Sequence, residues 1–555
     1  KFCFAFMVDF WASSGLTVTR CPIKGRCVVA SGHFHSGDVL LVEKAYQAVQ
    51  PRGSRLCDWC WSSASEASPC GTCGVRFCSL ECQDAAASRH EILCPLMKGL
   101  ARKGVSPLDP EFLDAVLCAA VLECQPENVT AIVAGCQSGM GSPEDLDALS
   151  FCENSISSSL HGRLARALRA AGLAQSEQSI LRVLAQLRQN SFDVVDDKQT
   201  AVLGAAVFPL AAAVNHSCAP TAVPLFRLEE PGGPVLALLA IEEMPPGTEI
   251  TIAYTNMDRP WWVRQTHLQE TYDFRCECPR CCCLAICGPE HHAADVSLVG
   301  MPNGGVVDDD VPRGAEQRRS QFLERHSMSM RDRSEVAELI GLRAIALERR
   351  NAFAWARFAA SAVAGLSSCH LWVIHALQTL FTEFPAAEIV EACGSDLLRL
   401  ANHMVEAQAR VLPRFFPLRG LAMLAIVAAF QFNAEPHSRP AACSLAKEAV
   451  SILAVTHGKL ETPLWAEATS VLGQLHSKAV GHCDWLRSVH LGGGFLRVVV
   501  SFGVAAADVA VECSDASVVF HHHDSSSSLR VECRAECGGS VRFHKRRREF
   551  GLRCA

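Results

Sequence analysis

AAAVNHSCAPTAVPLF, residues 211–226, is an apolar run broken by Asn215, His216, Ser217 and Cys218, and further on ETYDFRCECPRC, residues 270–281, gathers Cys276, Cys278 and Cys281 behind Tyr272 and Phe274. A C-x-C-x2-C trio is one ligand short of a closed structural zinc site, which takes four sulfur or imidazole donors. Why the apolar run stops at a polar cluster containing one cysteine is therefore a question about metal and fold together.

Upstream, residues 57–94 read CDWCWSSASEASPCGTCGVRFCSLECQDAAASRHEILC. Cys57, Cys60, Cys70, Cys73, Cys78, Cys82, His90 and Cys94 supply eight soft donors, enough for two tetrahedral sites. The spacing of Cys78 from Cys82 and of His90 from Cys94 puts each pair one helical turn apart. So short a segment has little apolar core, and metal binding would supply much of its folding free energy.

The rest of the chain sets the context. At 555 residues it is long enough for two to four domains. A net charge of -7 with 20% charged residues shows no basic excess that would announce nucleic-acid binding. The 29 cysteines cluster in C-x2-C and C-x-C patterns, which in a chain this size favours metal binding in a reducing compartment over disulfides. No run reaches the roughly 18 apolar residues of a membrane span, and KFCFAFMVDFW at residues 1–11 lacks the features of a signal peptide. The chain begins at Lys1 rather than Met, so its true N-terminus is expected to lie upstream.

Before the cysteine-rich segment, CPIKGRCVVASGHFHSGDVLLVEKAYQAV (residues 21–49) alternates apolar and polar residues around turn signals and reads as short strands. After it, residues 95–190 are helix-like, with apolar positions three and four apart in LDAVLCAAVLE and LHGRLARALRAAGL. Strand character returns in AVLGAAVF, PVLALLAIEEM and TEITIAYT. The fold class is α+β, a β domain opened to admit a metal finger and a helical insert.

Residues 57–94 resemble the MYND zinc finger, with every ligand of that motif present. The order of segments from about Lys24 to Cys281 resembles the SET and MYND domain-containing protein-lysine methyltransferases, which split a SET domain around such a finger. IKGRCVVA looks like that family's glycine-rich first loop, NSF at 190–192 its second cofactor strand, NHSC at 215–218 its signature, PPGTEITIAY its strand ending in a tyrosine, and YDFRCECPRC its post-SET closure. The resemblance implies an N-terminal SET part at 1–56, the finger at 57–94, a helical insert at 95–189, the SET core at 190–256 and a post-SET zinc region at 257–287. A linker at 288–325, an α-helical tetratricopeptide-like domain at 326–482 and an unassigned tail at 483–555 follow.

The resemblance also implies an activity: transfer of a methyl group from S-adenosylmethionine to a histone or other protein lysine. Zinc sites would interleave, with Cys57, Cys60, Cys78 and Cys82 on one ion and Cys70, Cys73, His90 and Cys94 on another. A third ion would join Cys218 to Cys276, Cys278 and Cys281, with Cys282 or Cys283 able to take the last place if the register slips. The chain has only three tyrosines, Tyr46, Tyr254 and Tyr272. Tyr254 is implied as the catalytic one, and Tyr272 and Phe274 would line the lysine channel and cofactor pocket. Lys24, Gly25, Arg26, Asn190, Asn215 and His216 would complete the cofactor site. Two positions depart from the family pattern: Cys27 stands where a second glycine is usual, and Thr221 where an asparagine is usual.

Apolar periodicity in SEVAELIGLRAIALERR, LRGLAMLAIVAAFQF and AACSLAKEAVSILAVTHGKLE predicts antiparallel helix pairs that would cover a substrate cleft. In the tail, FHHHDSSSSLR reads as a low-complexity loop with loose metal-binding potential, and HKRRRE at 544–549 fits both a nuclear localisation patch and an ordinary charged tail. The expected partners are a lysine-bearing protein or peptide and, through the finger, proline-containing peptides, with no membrane and no direct nucleic-acid contact. A monomer of cytoplasm and nucleus is expected. The rival reading is a zinc-rich interaction scaffold whose SET fold is weak or inactive in catalysis.

Overall fold

The computed structural model describes residues 15–21, 24–107, 109–124, 159–199, 201–228, 232–259, 261–281, 333–366, 371–432 and 438–479, and the backbone of short strands at 130–133, 136–139 and between 486 and 553. Two compact units divide it, residues 1–331 with 410–413 and residues 332–409 with 414–555.

In the first unit, β1 (Leu16–Cys21) and β2 (Gly25–Ala30) form an antiparallel hairpin in which Cys21 pairs with Gly25. Gly25 has φ +74°, a left-handed conformation that glycine adopts without a Cβ penalty. β3 (Val39–Lys44) and β4 (Gln47–Val49) follow, then β5 (Thr130–Val133), β6 (Cys136–Gly139), β7 (Ser191–Val195), β8 (Val202–Val207), β9 (Asn215–His216), β10 (Ala222–Arg227), β11 (Val235–Ala240) and β12 (Thr251–Ile252). They form small sheets: β10-β11-β3-β5-β6, β4-β8-β7, and the parallel pair β9 with β12. All six residues of β11 are buried, which explains its continuous apolar run where a half-exposed antiparallel strand would alternate.

Among the described residues, the helices of this unit are α1 (Leu80–Ala85), α2 (Ala87–Arg102), α3 (Pro110–Glu123), α4 (Ser159–Ala171), α5 (Glu177–Asn190) and α6 (Trp261–Tyr272). Ser176 caps α5 by accepting from the Ser179 N–H at 3.1 Å, and Pro110 opens α3, where a missing N–H costs nothing. Leu100, Phe112, Leu164, Leu168, Ile180 and Leu184 close one core between α2, α3, α4 and α5. A second core, around Leu16, Val28, Leu41, Phe208, Leu236 and Ile250, fills the space between the strands.

Three features differ from the sequence expectation. α2 runs without a break from the finger into the following segment, so His90, Cys94 and the core residues Leu96 and Leu100 share one helix. The segment expected to be helical also contributes β5 and β6, which extend the large sheet beyond β3. TEITIAYT forms only a two-residue strand beside the equally short β9, with Glu249 just before it making an isolated antiparallel bridge to Val29, and Tyr254 lies past its end.

Gly204 in β8 marks a close approach: a Cβ built there would fall 2.2 Å from the Val49 carbonyl oxygen and 2.6 Å from the Trp61 ring. Both neighbours are buried and the first is backbone, so neither can yield cheaply. Gly204→Ala is expected to lower stability by about 1–3 kcal/mol, the usual cost of overpacking, read as a lower denaturant midpoint at unchanged slope.

The second unit has nine described helices: α7 (Arg333–Arg349), α8 (Ala352–Gly365), α9 (Leu371–Glu383), α10 (Ala386–Cys393), α11 (Leu397–Val411), α12 (Pro417–Phe432), α13 (Ser438–Val455), α14 (His457–Leu460) and α15 (Pro463–Ala479). Consecutive helices α7 and α8, α8 and α9, and α12 and α13 pack on one another, and α8 with α10 and α13 with α15 pack as next neighbours. Gly420 lets α12 lie close to Leu453 of α13. In the tail, β13 (Leu486–Gly492), β14 (Phe495–Val500), β15 (Val509–Ser514), β16 (Ser517–His522), β17 (Ser528–Glu532), β18 (Arg542–His544) and β19 (Glu549–Arg553) form the sheets β13-β14-β19-β18 and β15-β16-β17. Residues 1–14, the expected linker at 288–325, and Cys282 and Cys283 lie outside the described residues. Among the described residues, no helix is long and apolar enough to cross a membrane.

Candidate functional site

Three groups of four donors assemble, grouped as the family resemblance implies: Cys57, Cys60, Cys78 and Cys82; Cys70, Cys73, His90 and Cys94; and Cys218, Cys276, Cys278 and Cys281. A tetrahedron of Zn–S bonds near 2.3 Å has edges of about 3.8 Å. The separations match that edge: 3.5 Å for Cys60–Cys78, 3.6 Å for Cys78–Cys82, 3.9 Å for Cys70–Cys94 and 3.5 Å for Cys218–Cys281. A disulfide would need about 2.05 Å. The donor chemistry and spacing therefore fit closed zinc sites.

The Cys218 group is the most buried of the three. Cys218, Cys276 and Cys278 are nearly inaccessible, and Leu268, Tyr254, Tyr272 and Phe274 pack against them. Hydrogen bonds from Cys276, Cys278 and Cys281 lower the Cys218 thiol pKa, and the same bonds raise those of Cys276 and Cys281. Arg264 of α6, fully buried, donates from Nε to the Cys218 sulfur at 3.2 Å and from Nη2 to the Cys281 sulfur at 3.6 Å. Four thiolates around one divalent ion keep net negative charge, and this guanidinium is placed to offset it.

His216 links that cluster to Tyr254. The Tyr254 backbone N–H donates to His216 Nδ1 at 2.9 Å, so Nε2 carries the ring proton and points it at the Cys218 sulfur, 3.2 Å away. Backbone pairing fixes the same relation: β9 carries Asn215 and His216 beside Thr251 and Ile252 of β12. The side chain of His216 is thus committed to the sulfur cluster.

Aromatic rings pack around it. Ring centroids lie 4.8 Å apart for Tyr254 and Tyr272, 5.4 Å for His216 and Tyr254, 6.0 Å for His216 and Phe274, and 6.3 Å for Tyr272 and Phe274. His267 of α6 meets Tyr272 edge-on at 6.0 Å. Burial pushes the Tyr254 phenol well above its ordinary pKa and the Tyr272 phenol up to about 12, so both stay protonated at neutral pH. The Tyr254 hydroxyl donates to the Val214 carbonyl at 2.5 Å.

The first loop meets the signature at Asn215, whose Nδ2 donates to the Arg26 carbonyl at 2.5 Å and to Glu249 Oε1 at 3.1 Å. The other oxygen of Glu249 pairs with Lys24 Nζ at 2.5 Å, which holds the lysine pKa up against the opposing effect of its burial. Beside Gly25 there is open space where a side chain would otherwise project, so a ligand can approach the backbone there. Cys27 does not block this approach, because its side chain turns inward and its sulfur lies 3.4 Å from Asn215 Nδ2. Thr221 also has a role: its hydroxyl donates to the Glu249 carbonyl at 3.2 Å and accepts from the Thr251 N–H at 2.9 Å, tying the signature to β12. Asn190 ends α5, and its amide donates to the Gln186 carbonyl at 2.7 Å.

Arg264, Glu249, His267 and Glu43 were not singled out from the sequence. Glu43 is fully buried and accepts from the Leu210 and Ala211 N–H groups, each at 2.9 Å, fixing the turn that leads into Asn215. Its signal was present: in VLLVEK it shares the inward phase of Leu41, and a carboxylate at an inward strand position needs buried donors. Arg264 carries no such mark, because nothing in WWVRQTHL tells which side of the helix meets sulfur.

Comparison with known proteins finds a family model and several relatives that match the chain by sequence. The SET domain family model matches residues 25–255. The chain is 28% identical over 323 residues to the N-lysine methyltransferase SMYD2 of Mus musculus, covering 57% of this chain and 71% of that protein. It is likewise 28% identical over 274 residues to SMYD2 of Homo sapiens and to SMYD2-A of Xenopus laevis, covering 48% of this chain and 60% of each relative. For these last two, the chain spans less than two thirds of the relative's length.

Proposed function

We propose, starting from the chain's place in the SET-domain family and its relation to the SET- and MYND-type lysine methyltransferases, that it is an S-adenosylmethionine-dependent protein-lysine N-methyltransferase. The observation that carries this reading is the junction of Tyr254, Tyr272, Phe274 and His216 over the Cys218 cluster, beside an opening at Gly25 flanked by Lys24 and Arg26. Lys24, Gly25, Arg26, Asn190, Asn215, Tyr254, Tyr272 and Phe274, with His216 through its backbone, would hold the cofactor, which supplies an activated methyl group on a sulfonium.

The chain's own part is to deliver a neutral lysine in line with that group. A free lysine with pKa about 10.4 costs about 4–5 kcal/mol to deprotonate at pH 7. The walls of Tyr254, Tyr272 and Phe274 exclude water and so disfavour the ammonium form. Tyr254, kept protonated by burial, acts as a fixed hydroxyl that orients the amine and cannot serve as a phenolate base. Three zinc ions would play structural roles, the one at Cys218 clamping Phe274 and Tyr272 against Tyr254.

Substrates are protein lysines in histones or other proteins, and the finger presents a surface for proline-containing peptides. The protein works as a monomer in cytoplasm and nucleus.

One observation favours the rival reading of a weak or inactive scaffold. Glu249 occupies Lys24 and Asn215 together, and its carboxylate would repel the carboxylate of an incoming cofactor. Glu249→Gln is therefore expected to tighten cofactor binding several-fold in calorimetry, since it removes the like charge and keeps the amide contact. Methyl transfer is then read on a panel of histones and lysate proteins. If neither protein binds the cofactor, or both bind it and no lysine is methylated, the enzyme reading fails and the scaffold stands.

A further inference from the structure

His33, His35 and Glu243 bring two imidazoles and a carboxylate together on the exposed side of the first unit, away from the cysteine clusters in sequence. Their donor atoms lie within 4.8 Å of one another, and His35 Nδ1 is already 2.7 Å from a Glu243 oxygen. The two imidazole rings stand 4.7 Å apart between centroids. We propose that these three residues form a surface site for a first-row divalent cation with a preference for imidazole, such as nickel or zinc.

The backbone beneath explains why the donors converge. Phe34 and Met244 form an antiparallel bridge with reciprocal hydrogen bonds of 3.0 and 2.8 Å, and both side chains are buried. Strand alternation then turns the flanking His33 and His35 to the opposite, solvent side. Glu243 precedes Met244 across the bridge and meets them there. Further bonds hold the turn: Asp38 accepts from the His35 N–H at 2.8 Å, and Gly37 donates to the Ala240 carbonyl at 2.8 Å.

Little rearrangement is needed for loading. Donors around one ion with bonds near 2.1 Å sit about 3.4 Å apart, so the His35–Glu243 pair opens slightly while His33 closes, all by exposed side-chain rotation. Two imidazoles and one carboxylate suit nickel, copper and zinc, and leave positions for water. Occupation would cross-link the loop after β2 to the loop before β12.

The test uses the full chain, purified with its structural zinc and without an affinity tag, and titrated with nickel chloride in calorimetry. The tract His521–His523 is a competing source of imidazoles, so a variant with serine at those positions serves as the background. One nickel ion per chain should bind in that background, and His33→Gln or His35→Gln should weaken it by at least the ~10–100-fold that outer-shell changes alone can cost. In the serine background, nickel should slow hydrogen exchange at the N–H groups of Phe34 and Met244. Loss of all nickel uptake on replacing the tract alone, or equal uptake by a His33→Gln/His35→Gln protein, overturns the site, as does protection that falls elsewhere.

Discussion

Replacing Tyr254 with Phe is expected to slow methyl transfer by about 10²–10³-fold, the usual cost of removing one fixed hydrogen-bonding group from a reacting centre, here a hydroxyl that donates to Val214 and accepts from the amine. The ring remains, so its contacts with Tyr272 and His216 persist, and cofactor affinity should change little. Stability should fall modestly, by about 1–3 kcal/mol, because the Val214 carbonyl loses its partner. Single-turnover rates at saturating cofactor separate these effects. A variant that binds the cofactor normally and transfers at the parental rate would remove Tyr254 from the chemistry, whatever its place in the cluster.

The second large effect concerns the Cys218 cluster. Cys218→Ser should reduce bound zinc from three ions per chain to two, read by elemental analysis. It should also abolish methyl transfer, because Tyr272 and Phe274 would no longer be held against Tyr254. The loss in stability combines a missing metal clamp with an exposed electrostatic debt: Arg264, fully buried, would lose the sulfur it faces at 3.2 Å. Breaking one side of a buried charged pair costs about 3–5 kcal/mol, and proteolysis should open near residues 261–281. Retention of three zinc ions in this variant would show that Cys218 is not a ligand and would detach the aromatic lid from the metal.

Much of the site was legible because metal chemistry writes itself into spacing. The clustering of cysteines in C-x2-C and C-x-C patterns marked the donors, and the family resemblance implied how they group, but His90 and Cys94 are the one pair that lies a turn apart on a helix, since Cys78 precedes the helix of Cys82. Tyr254 and Tyr272, which the resemblance marked, meet at 4.8 Å between ring centroids, whereas Tyr46 is buried in the core between the helices of the insert. Strand lengths were less so. TEITIAYT carries the residues of a longer strand, yet its pairing is split between a single bridge from Glu249 to Val29 and the two residues Thr251 and Ile252 beside β9, because a strand extends only as far as one neighbour accompanies it.

The linear chain by itself determined which atoms could ligate metal, which rings could wall a channel and where an apolar strand must be covered on both faces, since these follow from side-chain chemistry and period. The tertiary structure decided how charge is placed. The turning of His216 Nε2 toward Cys218, the meeting of Arg264 with two sulfurs, and the hold of Glu249 on Lys24 and Asn215 join residues 2, 46 or 17, 225 and 34 positions apart. Whether such groups meet depends on how small sheets and one helix pack, and the energy of a charge depends on its distance and burial, neither of which is carried by the order of residues.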